Sequence, residues 1–333
     1  MNCSWPRRRS IRRRLRRRTA DLSSRRSVAS RPLARRHQAA RRRVRCRGAL
    51  LSRAWSARSA AALPSRCPVP TTISRREHAT GASVIRACFV LVGTILATLV
   101  FGSWVLLAAL FSVRDRVGSP YDLAPRLWAR CILWMSGVTL VQHGVEHKTG
   151  DRHIFAVNHV ANYDVLAIAA TLRWIKFVAK VELFKIPLFG KAMLAAGMIP
   201  IERANRKAAF GSYSLATKRI QAGASVAVYP EGTRGNAYPL RSFKKGPFVL
   251  AIQSQAPIVP VVVHGQLEVN PKGKFLVRPG VIHVHFLPPI ESAGMTYEDR
   301  DRLADATHEA MRECLRAEYG VASLPARASA GEP

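Results

Sequence analysis

The sequence predicts an α/β fold: one domain on a largely parallel mixed sheet flanked by helices, preceded by an N-terminal membrane helix. Three observations carry this expectation. From about residue 150 onward, short β-branched and apolar runs alternate with stretches of helical spacing. A charge-free run of 27 residues, 87–113, lies just before that region. Of the 333 residues, 48% are hydrophobic, enough for a sizeable buried core.

The first element is a leader, residues 1–80. It holds 24 arginines, no lysine and only two acids, Asp21 and Glu77, so most of the chain's net charge of +33 sits there. It has no lasting apolar period and is rich in Ser, Ala and Pro. Such a composition buries too little surface to offset chain entropy, so the leader is read as disordered. Three origins for it stay open. It is a basic arm for nucleic acid or anionic headgroups, a targeting leader whose Ser74-Arg75-Arg76 precedes an apolar run, or a stretch that is not translated. Arginine without lysine favours the last, because it points to base composition rather than selected charge.

The 27-residue apolar run comes next. At about 1.5 Å per residue it reaches about 40 Å, enough to cross a bilayer core with tilt. Arg86 closes one end, and Arg114, Asp115 and Arg116 the other. Residues 85–116 are therefore expected to form a membrane helix, spanning or re-entrant. Residues 127–141 are also apolar, but short and interrupted by Arg130. They are read as an interfacial helix or as the first covering helix of the body.

The body is expected over residues 120–318. Strands are predicted at 153–157, 175–179, 226–229, 258–264 and 280–287. Helices are predicted at 208–222, closed by Gly223 as a C-cap, and at 297–318. Residues 319–333 are expected to be a disordered tail. The six cysteines show no C-x-x-C or zinc-ligand spacing, so neither a disulfide framework nor a metal centre is expected.

The chemistry sits at three strand ends. In Asn158-His159-Val160-Ala161-Asn162-Tyr163-Asp164 a histidine is followed five residues later by a carboxylate. That is what a general base needs: an imidazole to take a proton and a carboxylate to fix its tautomer. On a regular helix a five-residue offset separates two side chains by roughly 140°. The pair therefore requires a turn or a helix start between them, and the two asparagines suit one. In Gly197-Met198-Ile199-Pro200-Ile201-Glu202-Arg203 a strand-like run ends in a guanidinium. In Tyr229-Pro230-Glu231-Gly232-Thr233-Arg234 a strand enters a glycine turn. Arg203 and Arg234 can each grip a phosphate with paired hydrogen bonds. Thr233 adds a donor, Gly232 permits close backbone approach, and Glu231 is expected to orient an arginine or a substrate hydroxyl. Pro260, within Ile258-Val259-Pro260-Val261-Val262-Val263, is expected at a sheet edge or strand start, in a segment that is structural or walls an acyl pocket.

His153 and His264 are read as structural. His283 and His285 alternate on a strand with no cysteine or acid nearby, so no metal is expected there.

NHxxxxD, GxIPIxR, PEGTR and VPV, in that order, resemble the phospholipid/glycerol acyltransferase family, most closely its bacterial 1-acyl-glycerol-3-phosphate acyltransferase branch. The resemblance covers about residues 85–290. It implies that His159 and Asp164 are catalytic, and that Arg203, Glu231, Gly232, Thr233 and Arg234 serve the phosphate and glycerol site. It further implies acyl transfer from an acyl thioester, either acyl-CoA or acyl carrier protein, to the sn-2 hydroxyl of lysophosphatidate. No cofactor is required, and backbone N–H groups near the motif are expected to hold the oxyanion. The implied location is the bacterial inner membrane with the catalytic domain facing the cytoplasm, among membrane lipids. Nucleic acid is not expected as a partner. Ala161 departs from the pattern, since many members carry Ser there. Two rivals remain: an acyltransferase for another lyso-lipid or glycerol 3-phosphate, and a basic nucleic-acid-binding membrane protein working through its leader.

Overall fold

The structure, a computed structural model, describes residues 81–326 except 151, 203–205, 272 and 274–276, with backbone only at 81–83 and 206–210. The arginine-rich leader and Arg203 lie outside the described residues.

The first helix, α1, runs Gly81–Leu110. Within it Val84–Leu110 is long and apolar enough to cross a membrane, and only 17% of its most apolar stretch is buried. That exposure is not what a core helix shows: Phe89, Ile95, Leu99 and Val100 all point outward. Its inner face is tied to the body. Trp128 Nε1 donates to Thr98 Oγ1 at 3.0 Å, and a side chain at Gly93 would collide with the Met135 thioether. Just past its end, Asp115 pairs with the fully buried Lys176 at 2.9 Å and accepts the Trp174 indole N–H at 2.7 Å.

α2 spans Pro120–Met135 and covers the body. Arg130, the charge inside the apolar run, donates to the Ala170 carbonyl at 3.1 Å. The helical reading of 127–141 holds only to Met135. Gly137 then turns the chain at φ +70, and Val138–His143 forms an edge strand, β1. Its apolar alternation was hidden inside a longer apolar run.

The body continues β2 (Ile154–Val157), α3 (Asn162–Thr171), β3 (Ile175–Lys180), α4 (Phe189–Ala195), β4 (Ile199–Ile201), α5 (Arg206–Gln221) and β5 (Ser225–Val228). It ends with α6 (Gly246–Ser254), β6 (Ile258–His264), the short α7 (Gln266–Val269), β7 (Gly280–Phe286) and α8 (Arg300–Tyr319). The seven strands lie in the order β1-β7-β6-β2-β5-β3-β4. Every pairing is parallel except β6 with β7, which is the expected largely parallel mixed sheet. α1, α2, α3 and α4 pack on one face, and α5, α6 and α8 on the other. β2 and β5, in mid-sheet, are buried at every position, as strands covered on both faces must be.

Pro260 is neither at an edge nor at a strand start. It is the third residue of the central β6, between β2 and β7. Its carbonyl accepts the Leu287 N–H at 3.0 Å, and β7 has already ended at Phe286. The missing proline N–H therefore falls where the ladder stops, and little hydrogen bonding is lost.

Candidate active site

In parallel sheets the strand carboxyl ends carry the site. Here β2, the middle strand, delivers Asn158 and His159 to that end. Asn158 is fully buried. Its amide donates to the Val263 carbonyl at 3.0 Å and accepts the Val263 N–H at 2.8 Å, fastening β2 to β6. The residue that follows is thereby held at a fixed height above the sheet.

His159 Nδ1 lies 3.0 Å from Asp164 Oδ2. Residues between them form the turn that the offset requires. Ala161 is extended, at φ −142 and ψ 173, and α3 begins at Asn162. Asp164 thus occupies the third position of a helix and reaches back over its start. The same Oδ2 accepts the N–H groups of Val160 at 3.0 Å and Ala161 at 3.1 Å. Asp164 thus supplies one half of a capping box, taking the N–H of Ala161, while the half that a serine hydroxyl at 161 would supply to the helix N–H groups is absent. Asp164 is fully buried, while the imidazole keeps 13% of its surface open.

The third motif approaches from β5. The Tyr229 ring lies 4.3 Å from the His159 ring, centre to centre. Burial, and then the Asp164 charge, pushes the Tyr229 phenol well above its ordinary value, so it stays protonated. Glu231 turns inward, toward the histidine and Arg241. It is 3% exposed, and its Oε1 accepts the backbone N–H of His159 at 2.8 Å. Burial pushes its carboxyl up to about 7, against the lowering effect of the His159 and Arg241 backbone N–H groups. Gly232 turns the chain at φ +77. Arg234 Nη1 then donates to Asn162 Oδ1 at 2.8 Å, and the exposed Thr233 hydroxyl accepts from Arg241 Nη1 at 2.8 Å.

The N–H groups of His159, Val160 and Ala161 are all engaged by Glu231 or Asp164.

His159, Asn162, Tyr229, Thr233 and Arg234 rim a cavity of about 510 Å³. Its inner walls are apolar and come from α1 (Phe101, Gly102, Val105), α2 (Trp128) and α4 (Ala192, Met193). No residue of 258–263 lines it, so that segment is core rather than pocket wall. The structure thus brings His159, Thr233 and Arg234 to one mouth, with Asp164 and Glu231 buried behind the histidine. Sequence reasoning passed over Tyr229, Asn162 and Arg241 as site residues. Tyr229 and Asn162 lie inside the quoted motifs, but nothing about Arg241 marks it in the sequence.

A model of the Acyltransferase family matches residues 140–264. The chain is 34% identical over 203 residues to a 1-acyl-sn-glycerol-3-phosphate acyltransferase of Limnanthes alba, covering 59% of this chain and 69% of that one. It is 29% identical over 225 residues to 1-acyl-sn-glycerol-3-phosphate acyltransferase alpha of Homo sapiens, covering 65% and 79%. Among solved structures it resembles the 1-acyl-sn-glycerophosphate acyltransferase of Thermotoga maritima. The TM-score is 0.59 at 23% identity, covering 70% of this chain and 96% of that one. At that identity the likeness is one of fold.

Proposed function

From the premise that this chain belongs to the acyltransferase family and is an enzyme of it, we propose that it acylates lysophosphatidate. A fatty acyl group passes from an acyl thioester to the sn-2 hydroxyl of 1-acyl-glycerol-3-phosphate, and phosphatidate results. The observation that carries this reading is a buried carboxylate on His159 Nδ1, at the mouth of an apolar cavity that Arg234 also rims.

His159 takes the proton of the acceptor hydroxyl as its oxygen attacks the thioester carbonyl. Asp164 steadies the imidazolium that forms. The tetrahedral centre collapses, the C–S bond breaks, and the thiolate leaves with the proton. Glu231 positions His159 through its backbone N–H. Arg234 and Thr233, with Arg203, receive the acceptor's phosphate, and Gly232 supplies the tight turn before them. The apolar cavity takes an acyl chain, and its volume is in the usual range for a ligand site. Acyl-CoA or acyl carrier protein serves as donor. Helix α1 lies in the bacterial inner membrane with the body on the cytoplasmic side, so that acceptor and product need not leave the lipid.

The test is acyl transfer by membranes holding the full chain, with lysophosphatidate and each donor type. Loss of a positioned general base costs about 10²–10⁴-fold, so His159→Ala should lose at least 100-fold. A near-unchanged rate in that variant rejects the mechanism. Equal rates on glycerol 3-phosphate or another lyso-lipid reject the acceptor.

A further inference from the structure

Three imidazoles that acyl transfer does not use meet at the β1–β7 edge of the sheet. His283 and His285 alternate along β7 and share one face. His143 ends β1, level with His285 in the parallel register. Ligand-capable nitrogens of the three lie within 4.8 Å of one another, and no other group of three such side chains converges this way among the described residues. His143 Nε2 is 3.2 Å from His283 Nδ1. Two nitrogens on a tetrahedral zinc ion, each at about 2.0–2.1 Å, stand about 3.4 Å apart. That pair already has ligand-to-ligand spacing.

A second observation concerns the outer nitrogen of His285. Its Nε2 pairs with the Tyr319 hydroxyl at 2.6 Å. Tyr319 is the last residue of α8 and is held there: its ring stacks on His264 at 3.7 Å, and His264 stacks on Tyr238 at 4.0 Å. When the ring donates its Nε2–H to the tyrosine oxygen, the lone pair on Nδ1 is left for a metal, which is the arrangement outer partners of metal-bound histidines impose.

The structure assigns His143, His283 and His285 as a binding site for a divalent cation of the zinc class, with an open fourth position. An all-imidazole set suits zinc and its late transition-metal neighbours and not magnesium or calcium, which take oxygen. The His143 and His285 rings lie stacked at 4.1 Å and 9°, so loading requires their planes to tilt apart. Bound there, the ion clips edge strand β1 to β7 and, through Tyr319, to the end of α8. It takes no part in the transfer chemistry.

The test uses detergent-solubilised full-length protein, purified with a histidine-free tag and stripped with chelator. Zn²⁺ alone is titrated against a chromophoric competitor, and Co²⁺ absorption reports the coordination geometry. One equivalent should bind, with a tetrahedral Co²⁺ spectrum and a raised melting temperature. His283→Asn and the edge substitution His143→Gln should each weaken binding at least 10-fold, and Tyr319→Phe about 10-fold through the outer hydrogen bond. His159→Ala should still bind one equivalent. Should His285→Ala fail to fold, His143→Gln carries the test. No bound equivalent, one that survives His143→Gln and His283→Asn, or one lost only in His159→Ala overturns the assignment.

Discussion

The carboxylate of Glu231 holds the backbone N–H of His159 at 2.8 Å, across 72 residues of sequence. This contact joins the first motif to the third, and through it the glutamate supports the histidine's backbone. It also has a pH signature. Glu231 in the folded protein keeps its proton up to about 7, whereas the unfolded chain releases it near 4.5. Between those values the folded state binds more protons, so this residue's contribution to stability falls as pH rises through the window and is flat above it. Glu231→Gln keeps an acceptor for His159 and removes the titration. Relative to the wild type, the variant should gain on the order of 3 kcal/mol between pH 5 and pH 8. Thermal melts at several pH values check this, and a pH-independent difference counts against it.

Asp164→Asn should fold, because an amide oxygen can still accept the Val160 and Ala161 N–H groups. It cannot stabilise an imidazolium, so kcat should fall about 10²–10⁴-fold. Circular dichroism and single-turnover rates separate the two effects. A variant that is folded and fully active contradicts the proposed role.

Arg234→Lys keeps the charge and loses the planar fork. With Arg234 on the acceptor's phosphate, KM for lysophosphatidate should rise about 10-fold or more, and kcat should change less. Preference over an uncharged monoacylglycerol should shrink in the same variant. A kcat defect with unchanged KM points instead to a role at the reacting centre.

Gly102→Leu should shorten the acyl chain the enzyme prefers. Gly102 lines the cavity, and a side chain there first meets the end of Leu188, at 3.0 Å, a flexible group that can yield. The ratio of kcat/KM for long over short acyl donors should drop, measured across a donor series. An unaltered ratio argues that the chain lies elsewhere.

Much of this protein was legible from local pattern. The alternation of strand and helix signals, Gly223 at the end of α5, and the length of α1 follow from periods and turn residues that neighbouring positions define. The five-residue offset of His159 and Asp164 even required the turn that Ala161 and Asn162 make, since a continuous helix would drive the two apart. Strand order decided the rest, and strand order is not written in sequence distance. It put Glu231 behind His159 and Pro260 in a central strand at the end of its ladder. It carried α1 from a plain membrane helix to a wall of the cavity. It also brought His143 to a nitrogen of His283, 140 residues away, where chain spacing alone gave no reason to expect a cation. A side chain's neighbours along the chain fix its local conformation; only the packed sheet fixes which distant groups share its surroundings, and the chemistry depends on those.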